Sequence, residues 1–257
     1  MTHENNSGVI PFAELSGEYA ALVFFDTETN GLDPSTCQII ELAAQRIEFA
    51  PDGSPYVADS MDDFIQLKPG EKLPEKIVQL THITDEMLEN EGVGSVKAAE
   101  RFAHMIEGGP VLLIAHNAHF DLQFTKVLLW SCCPAGLSDL AAADYLDTLT
   151  VYKDRAAYPH RLANAIEHYK LSDKVQNSHR AIDDVAALVE VCKAMSAERQ
   201  DLGEYVNIFG YNPKYGVDGA AVKELGVIYH PQRYADYMRS SSETLPAIVR
   251  REGGFRG

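Results

Sequence analysis

The chain has 257 residues, of which 46% are hydrophobic and 23% are charged, a profile typical of a globular protein. No apolar run reaches the roughly 18 residues of a membrane span. The polar N-terminus does not resemble a targeting signal, and four unpatterned cysteines indicate reduced thiols in a cytoplasm. The net charge of −16 excludes binding to nucleic acid through a broad basic surface, because that affinity comes from neutralising phosphates. Any such contact must be local, with bound cations offsetting the protein's carboxylates.

The first part of the chain predicts an antiparallel meander. Residues 21–26 (ALVFFD) form an apolar run that a turn follows, residues 38–50 are rich in branched apolar side chains, and residues 56–67 can return as a third strand. Residues 95–108 then space apolar side chains at helical intervals and stop at two glycines.

The second part alternates strands and helices. Residues 111–116 (VLLIAH) predict a buried strand, and Asn117 is placed to cap the helix that follows. The stretch AADYLDTLTVY predicts a short strand running into a helix, and the stretches RLANAIEHYKL and AIDDVAALVEVCKAM predict two more helices. A meander followed by this alternation indicates an α/β fold with a mixed sheet.

Two carboxylates stand at the end of the first apolar strand. Asp26 and Glu28 are two residues apart, so they project from the same face of a strand. Carboxylates this close repel each other unless they share a proton or a cation. By itself, however, the pair is better explained as two hydrated acids that open a turn through Asn30 and Gly31.

Two further groups carry acids at the starts of helices. In AHNAHFD, Asp121 falls in the first turn of a helix. The helix dipole favours a carboxylate at this position, so Asp121 can be explained without a catalytic role. His116 and His119 have an HxxH spacing, but no third zinc ligand lies nearby in the sequence. In SHRAIDDVAALV, helical geometry directs Asp184 inwards and Asp183 towards solvent, and His179 precedes the helix.

The three groups together are more informative than any one of them. Proteins of the α/β class place their sites where strands end and helices begin, and four acids in one cleft require cations. Oxygen ligands suit Mg²⁺ or Mn²⁺ rather than zinc, and two such ions can clamp the attacking and leaving oxygens of a phosphoryl displacement. A nearby histidine can deprotonate the attacking water. The residues therefore predict metal-assisted phosphodiester hydrolysis.

The stretches FDTETNGLDP, AHNAHFD and HRAIDD resemble, in this order, the three motifs of the DnaQ-like 3′–5′ exonucleases of the DEDDh type. QLTHITDEML (79–88) resembles the substrate loop that precedes the second motif in this family. The resemblance covers about residues 20–198. It implies a ribonuclease-H-like fold, a mixed five-stranded sheet flanked by helices.

The resemblance also implies a role for each acid. Asp26, Glu28 and Asp184 would bind one of two divalent cations, either Mg²⁺ or Mn²⁺. Asp26 would bridge to the second cation, and Asp121 would hold the pair, partly through water. His179 would be the general base. Glu28 would also meet the terminal 3′-hydroxyl, which explains why cleavage starts at an end.

Substrate contacts are implied at eight positions: Thr27, Glu28, Thr29, His82, Ile83, Asn117, Phe120 and His179. His82 stands where relatives often have glycine, so it departs from the family's pattern. For Ile83 and Phe120 the alternative is plain core packing, and Asn117 can do no more than cap its helix.

We expect an N-terminal segment over residues 1–19, an exonuclease domain over residues 20–200 and a C-terminal β-hairpin extension over residues 201–257. The extension carries 8 of the 23 aromatic residues and five arginines. Tyrosine and arginine together can stack bases and contact phosphates, but packing of the hairpin on the acidic domain is the favoured alternative.

The leading hypothesis is a metal-dependent 3′–5′ exonuclease that acts on single-stranded or frayed 3′ ends of DNA in proofreading or repair, with a polymerase as partner. RNA 3′-end trimming stays open, because nothing in the motifs separates DNA from RNA. A non-catalytic scaffold that holds a polymerase is disfavoured by the intact acids and His179. No membrane association is expected.

Overall fold

The computed structural model describes residues 10–175, 177–210 and 228–230 of the chain. A mixed sheet of five strands forms its centre, and the order across the sheet is β3-β2-β1-β4-β5. The strands are β1 (Ala21–Thr29), β2 (Ile39–Phe49), β3 (Pro55–Phe64), β4 (Val111–Ala115) and β5 (Asp144–Asp147). β1, β2 and β3 pair in antiparallel, whereas β4 pairs in parallel with β1 and with β5. The carboxyl ends of β1, β4 and β5 therefore lie at one edge.

Helices cover both faces of this sheet. They are α1 (Glu75–Thr81), α2 (Asp85–Asn90), α3 (Ser95–Ile106), α4 (Ala118–Cys132), α5 (Gly136–Ala142), α6 (Thr148–Arg155), α7 (Leu162–His168) and α8 (Ala181–Glu198). A 3₁₀ turn (Leu202–Tyr205) and two short strands, β6 (Ile208–Gly210) and β7 (Ile228–His230), follow. Within the described ranges, every helix is too short or too polar to span a bilayer.

The central strand β1 contributes to two hydrophobic cores. Phe24 faces the core that α8 covers, and Phe25 faces the core that α3 and α4 cover. A strand buried on both faces is apolar at every position, which explains the uninterrupted run at residues 21–25. Because side chains alternate along a strand, Asp26 and Glu28 continue the α8 face and Thr27 continues the α4 face.

Residues at both ends of the described chain pack into the α8 core. Phe12 and Leu15 are fully buried there, and the Phe12 ring lies 5.7 Å from the Phe24 ring. After α8, the Asn207 N–H donates to the Tyr145 carbonyl of β5 at 2.7 Å, and the Tyr145 N–H donates to Asn207 Oδ1 at 2.9 Å. Residues on both sides of the predicted exonuclease domain, residues 20–200, therefore pack against it.

The α/β fold with a mixed five-stranded sheet is confirmed, including the meander of β1 to β3. The prediction that Asn117 caps α4 is wrong, because its φ is 73° and its side chain makes no capping hydrogen bond. The predicted C-terminal hairpin is wrong for the described strands, since β6 and β7 pair in parallel and a hairpin requires antiparallel pairing. The rest of that extension lies outside the described residues.

Candidate active site

Four acids from three segments meet at the carboxyl edge of β1. Asp26 and Glu28 are partly exposed on the face of β1 that α8 covers. Asp121, in the first turn of α4, is 3% exposed, and Asp184, in the first turn of α8, is 6% exposed. Asp26 interacts electrostatically with the other three carboxylates. The structure thus brings together the acids that the three motifs supply, while Asp183 points to solvent as expected.

Burial and the repulsion of neighbouring acids raise the pKa of all four carboxyl groups. For Asp26 the pKa lies well above its usual value because of burial first, then Asp121 and Asp184. Burial, followed by Asp184, raises the pKa of Glu28 to about 8. Burial is also the largest cause for Asp121, whose pKa is about 7, and for Asp184, whose pKa is about 6. Ionised together, these groups destabilise the fold unless a cation compensates their charge.

The residues at this edge fit a divalent cation. One carboxylate oxygen of Glu28, one of Asp184 and a ring nitrogen of His179 all lie within 4.8 Å of one another. Asp26 and Asp121 add further oxygen donors beside this group. A set of donors dominated by carboxylate oxygens suits Mg²⁺ or Mn²⁺. His179 stands inside the group, although the resemblance gives it the role of a base and not of a ligand.

His179 is exposed and is held in an uncommon backbone conformation, with φ of 57°. Contacts on both sides of it stabilise that conformation. The Ser178 N–H donates to Asp184 Oδ1 at 3.2 Å, and the Ala181 N–H donates to Glu41 Oε2 at 2.9 Å. The start of α8 is therefore tied to the same acids that form the site.

Sequence reasoning missed Glu41, a fully buried acid on β2 that lies opposite Glu28 in the β1–β2 pairing. Arg180 donates to its carboxylate from Nε at 3.0 Å and from Nη2 at 2.9 Å. An acid inside the apolar stretch QIIELAA does signal a buried partner, but nothing local indicates that the partner lies 139 residues away. This pair joins β2 to the start of α8 and so positions His179 and Asp184 against β1.

Asp121 is held by β1 itself. The Thr27 N–H and the Thr27 hydroxyl donate to Asp121 Oδ1 at 3.0 Å and 2.7 Å. Thr29 donates its hydroxyl to the Gly31 carbonyl at 2.7 Å. Both threonines are buried. Both hydroxyl groups therefore donate within the protein, and the substrate contacts that the resemblance implied at these two residues stay a prediction.

A second acid that sequence reasoning missed is Asp147, buried at the end of β5. Its Oδ1 accepts hydrogen bonds from the N–H groups of Asn117 at 2.9 Å and Ala118 at 3.3 Å. It also accepts one from the Leu149 N–H at 3.1 Å, at the start of α6. One carboxylate from β5 thus satisfies the first amides of α4 and α6, which explains why the Asn117 side chain is not needed as a cap.

The remaining residues that were expected to contact substrate differ in exposure. His82 and Asn117 are exposed, and both have a positive φ. Phe120 is partly buried and packs on Phe124 with ring centroids 5.0 Å apart. Ile83 is fully buried, so its side chain belongs to the core. Of these four, His82, Asn117 and Phe120 retain surface that a substrate can reach.

The HxxH spacing does not form a zinc site in the described structure. His116 Nε2 donates to the His160 carbonyl at 3.0 Å, and its Nδ1 lies 3.0 Å from the Thr148 hydroxyl. Burial lowers the pKa of His116, which favours the neutral ring. His119 contacts Gln123 instead, with 2.7 Å between the two side-chain nitrogens.

Comparisons with known proteins agree with this arrangement. The family model described as Exonuclease (RNase_T) matches residues 23–192. The DNA polymerase III subunit epsilon of Treponema pallidum is 30% identical over 180 residues, which are 70% of this chain and 78% of the relative. The PolC-type DNA polymerase III of Thermotoga petrophila is 33% identical over 177 residues, which are 68% of this chain but 12% of the relative.

Solved structures show the same fold. Escherichia coli exonuclease I in complex with single-stranded DNA matches with a TM-score of 0.59 and 19% identity, over 73% of this chain and 43% of that chain. The chain therefore belongs to the exonuclease family, as a DnaQ-like 3′–5′ exonuclease of the DEDDh type. Enzymes of this family depend on metal ions.

Arg180→Lys tests whether the buried ion pair positions His179. Lysine keeps the charge but cannot form the two-pronged contact with Glu41. Because small misplacements of catalytic groups are costly, we expect kcat on a single-stranded oligonucleotide to fall about 10- to 100-fold. The free energy of unfolding should fall by about 1–3 kcal/mol.

The matched control for this prediction is Arg101→Lys, which alters the ion pair of Arg101 with Asp63 between α3 and β3. This pair lies on the opposite face of the sheet. The control can therefore have a lower free energy of unfolding, but its kcat should equal that of the wild type. Equal kcat values for the two variants would show that the Arg180–Glu41 pair has a purely structural role.

Proposed function

We propose that this exonuclease hydrolyses DNA from single-stranded or frayed 3′ ends, in proofreading or repair. The observation that carries the proposal is the meeting of Asp26, Glu28, Asp121 and Asp184 at one sheet edge, with His179 beside them. DNA as the substrate is supported by the relatives, which are named as DNA polymerase III proteins, and by the fold shared with exonuclease I bound to single-stranded DNA.

The proposed cofactors are two divalent cations, Mg²⁺ or Mn²⁺. When bound, they would lower the pKa of the attacking water and stabilise charge on the attacking and leaving oxygens. Asp26, Glu28 and Asp184 would hold one cation, and Asp26 and Asp121 would hold the second. The raised pKa values of these acids support this assignment, because cations remove the repulsion that keeps the acids protonated.

The protein's own side chains would move the proton and select the strand end. His179 would accept the proton of the attacking water at a ring nitrogen, from its exposed position beside Glu28 and Asp184. Glu28 would accept a hydrogen bond from the terminal 3′-hydroxyl, which restricts cleavage to ends.

The proposed partner is a replicative polymerase. The matching region forms 12% of a PolC-type polymerase chain, and the Treponema relative is named as a subunit of DNA polymerase III. A cytoplasmic location stays a prediction from composition. RNA trimming and a non-catalytic scaffold remain the alternatives that the experiments below distinguish.

Removal of single acids tests the site. With Mg²⁺, the wild-type protein should shorten a 5′-labelled single-stranded DNA from its 3′ end. Asp26→Ala and Asp184→Ala should each lower the rate about 10³-fold or more, because each loses a cation ligand and such cations supply several kcal/mol of transition-state stabilisation. The control is Asp183→Asn, which removes the charge of the exposed neighbour of Asp184. This variant should digest the DNA at the wild-type rate.

The same assay on RNA and on duplex DNA separates the alternatives. Faster digestion of RNA than of DNA would favour RNA trimming. Absence of digestion of every substrate by the wild type would favour the scaffold. Wild-type rates for Asp26→Ala would show that the acids at β1 do not form the active site.

His179→Ala tests the proposed base. Because positioned general bases contribute about 10²- to 10⁴-fold, we expect kcat to fall by at least about 10²-fold. Mn²⁺ affinity, measured by titration calorimetry, should be retained. His104→Ala, at an exposed histidine on α3, should behave as the wild type. If His179→Ala binds fewer Mn²⁺ ions than the wild type, His179 is a metal ligand and not the base.

A further inference from the structure

The loop between α6 and α7, residues 156–161, presents a tyrosine to solvent. Tyr158 is 86% exposed, more than any other large hydrophobic side chain in the described part of the chain. An aromatic ring in this position gains nothing from burial in the core. Its exposure therefore indicates a surface that is available to a ligand.

This loop is attached to the active-site edge. Phe24 of β1 pairs with Ile114 of β4, and two residues beyond that rung lie Asp26 and His116. His116 therefore follows directly after the carboxyl end of β4, the strand that pairs with β1. His116 in turn donates to the His160 carbonyl at 3.0 Å, which joins the loop to this edge.

Contacts within the loop hold Tyr158 in place. The His160 ring lies edge-on to the Tyr158 ring, with centroids 5.8 Å apart. The other side of His160 packs edge-on against the buried Tyr152 at 5.6 Å, and its Nε2 lies 3.0 Å from the Ala156 carbonyl. A loop held this way loses little conformational freedom when a ligand binds.

The charges around the loop suit a phosphate backbone. Arg161 is exposed next to the loop's aromatic residues. Lys153 lies close enough to Asp147 and His116 to interact with both. By contrast, a cavity of about 540 Å³ beside the N-terminal segment repels phosphates because five acids line it: Glu14, Glu18, Asp144, Asp201 and Glu204.

The loop also lies on the correct side of the site for the body of a strand. The segment around His82 lies on the β2 side, because the adjacent Ile83 packs with Ile40 of β2. The loop with Tyr158 lies on the β4 side. A strand that approaches the acids from the side opposite to His82 would therefore pass the loop that carries Tyr158.

We propose that Tyr158 is a stacking platform for a base upstream of the scissile bond in a single-stranded nucleic acid, with Arg161 contacting the backbone. The proposal rests on the exonuclease function proposed above and names a subsite for its substrate. Base stacking on an aromatic side chain is indifferent to sequence, so the platform would serve any single-stranded 3′ end.

The test compares two substrates that differ only in upstream bases. One is an oligothymidylate of about twelve nucleotides, and the other is the p-nitrophenyl ester of thymidine 5′-monophosphate, which has none. For Tyr158→Ala we expect KM on the oligonucleotide to rise about tenfold, because the variant loses the stacking of one base on an aromatic ring. On the ester, the change in KM should stay below about twofold.

Two further variants serve as controls. Tyr158→Phe keeps the aromatic ring and should keep KM on the oligonucleotide within about twofold of wild type. Tyr56→Ala removes a tyrosine that is 49% exposed on β3 and should change neither substrate's KM.

The outcomes separate this inference from the function on which it rests. An unchanged KM for Tyr158→Ala on the oligonucleotide, with normal hydrolysis of both substrates, would overturn the platform alone. An equal rise in KM on both substrates would also overturn it, because the ring would then act at the terminal nucleotide. If the wild type hydrolyses neither substrate, the proposed function and the platform both fail.

Discussion

Repulsion among buried and partly buried carboxylates at the carboxyl edge of β1 is the constraint on which the rest of the structure depends. Asp26, Glu28, Asp121 and Asp184 come from three segments, and burial together with neighbouring acids raises the pKa of each. Rigid elements hold them, since β1 is buried on both faces and two of the acids stand in first turns of helices. Carboxylates held this close repel one another unless they share a proton or a cation.

Other buried acids fix the elements that present the site. Glu41 with Arg180 joins β2 to the start of α8, where His179 and Asp184 lie. Asp147 satisfies the first amides of α4, which carries Asp121. These two acids act through hydrogen bonds to backbone and to arginine, so their charge is used for positioning. The site therefore depends on two kinds of acid. Some are available to bind cations, and others are already hydrogen-bonded within the protein.

The parts of the structure that could be predicted from sequence are those with local signals. The apolar run at residues 21–25, the two-residue spacing of Asp26 and Glu28, and the helical period that turns Asp184 inwards each follow from geometry over a few residues. The meeting of the four acids could be predicted because parallel strands end at a common edge and because the three motifs resemble those of a known family.

The features that could not be predicted depend on contacts between distant residues. Glu41 and Arg180 are 139 residues apart, and the amides of α4 are bonded by Asp147, about 30 residues later. Asn117 has a residue type that favours capping, but its positive φ and the Asp147 carboxylate leave its side chain without that role. The parallel pairing of β6 and β7 likewise depends on the path of the chain between them, which short strands do not reveal.

The sign of the pH dependence follows from the raised pKa values. The folded protein holds protons on these acids up to pH values between about 6 and 8, whereas the unfolded chain releases them near pH 4. Between these limits the folded state binds more protons than the unfolded state. The stability of the metal-free protein must therefore fall as pH rises through this window.

The most direct test of the central claim is the thermal unfolding midpoint of metal-free protein between pH 5 and pH 8, in the presence of a chelator. One pKa unit corresponds to about 1.4 kcal/mol, which shifts the unfolding midpoint of a domain of this size by roughly 3–6 °C. We expect the midpoint of the wild type to fall by about 5–10 °C across this range. The midpoint of Asp26→Asn should fall markedly less. Added Mn²⁺ should raise the midpoint of the wild type, and this increase should be largest at pH 8. Parallel curves for the wild type and Asp26→Asn, with no effect of Mn²⁺, would contradict the claim that these acids repel one another and require cations.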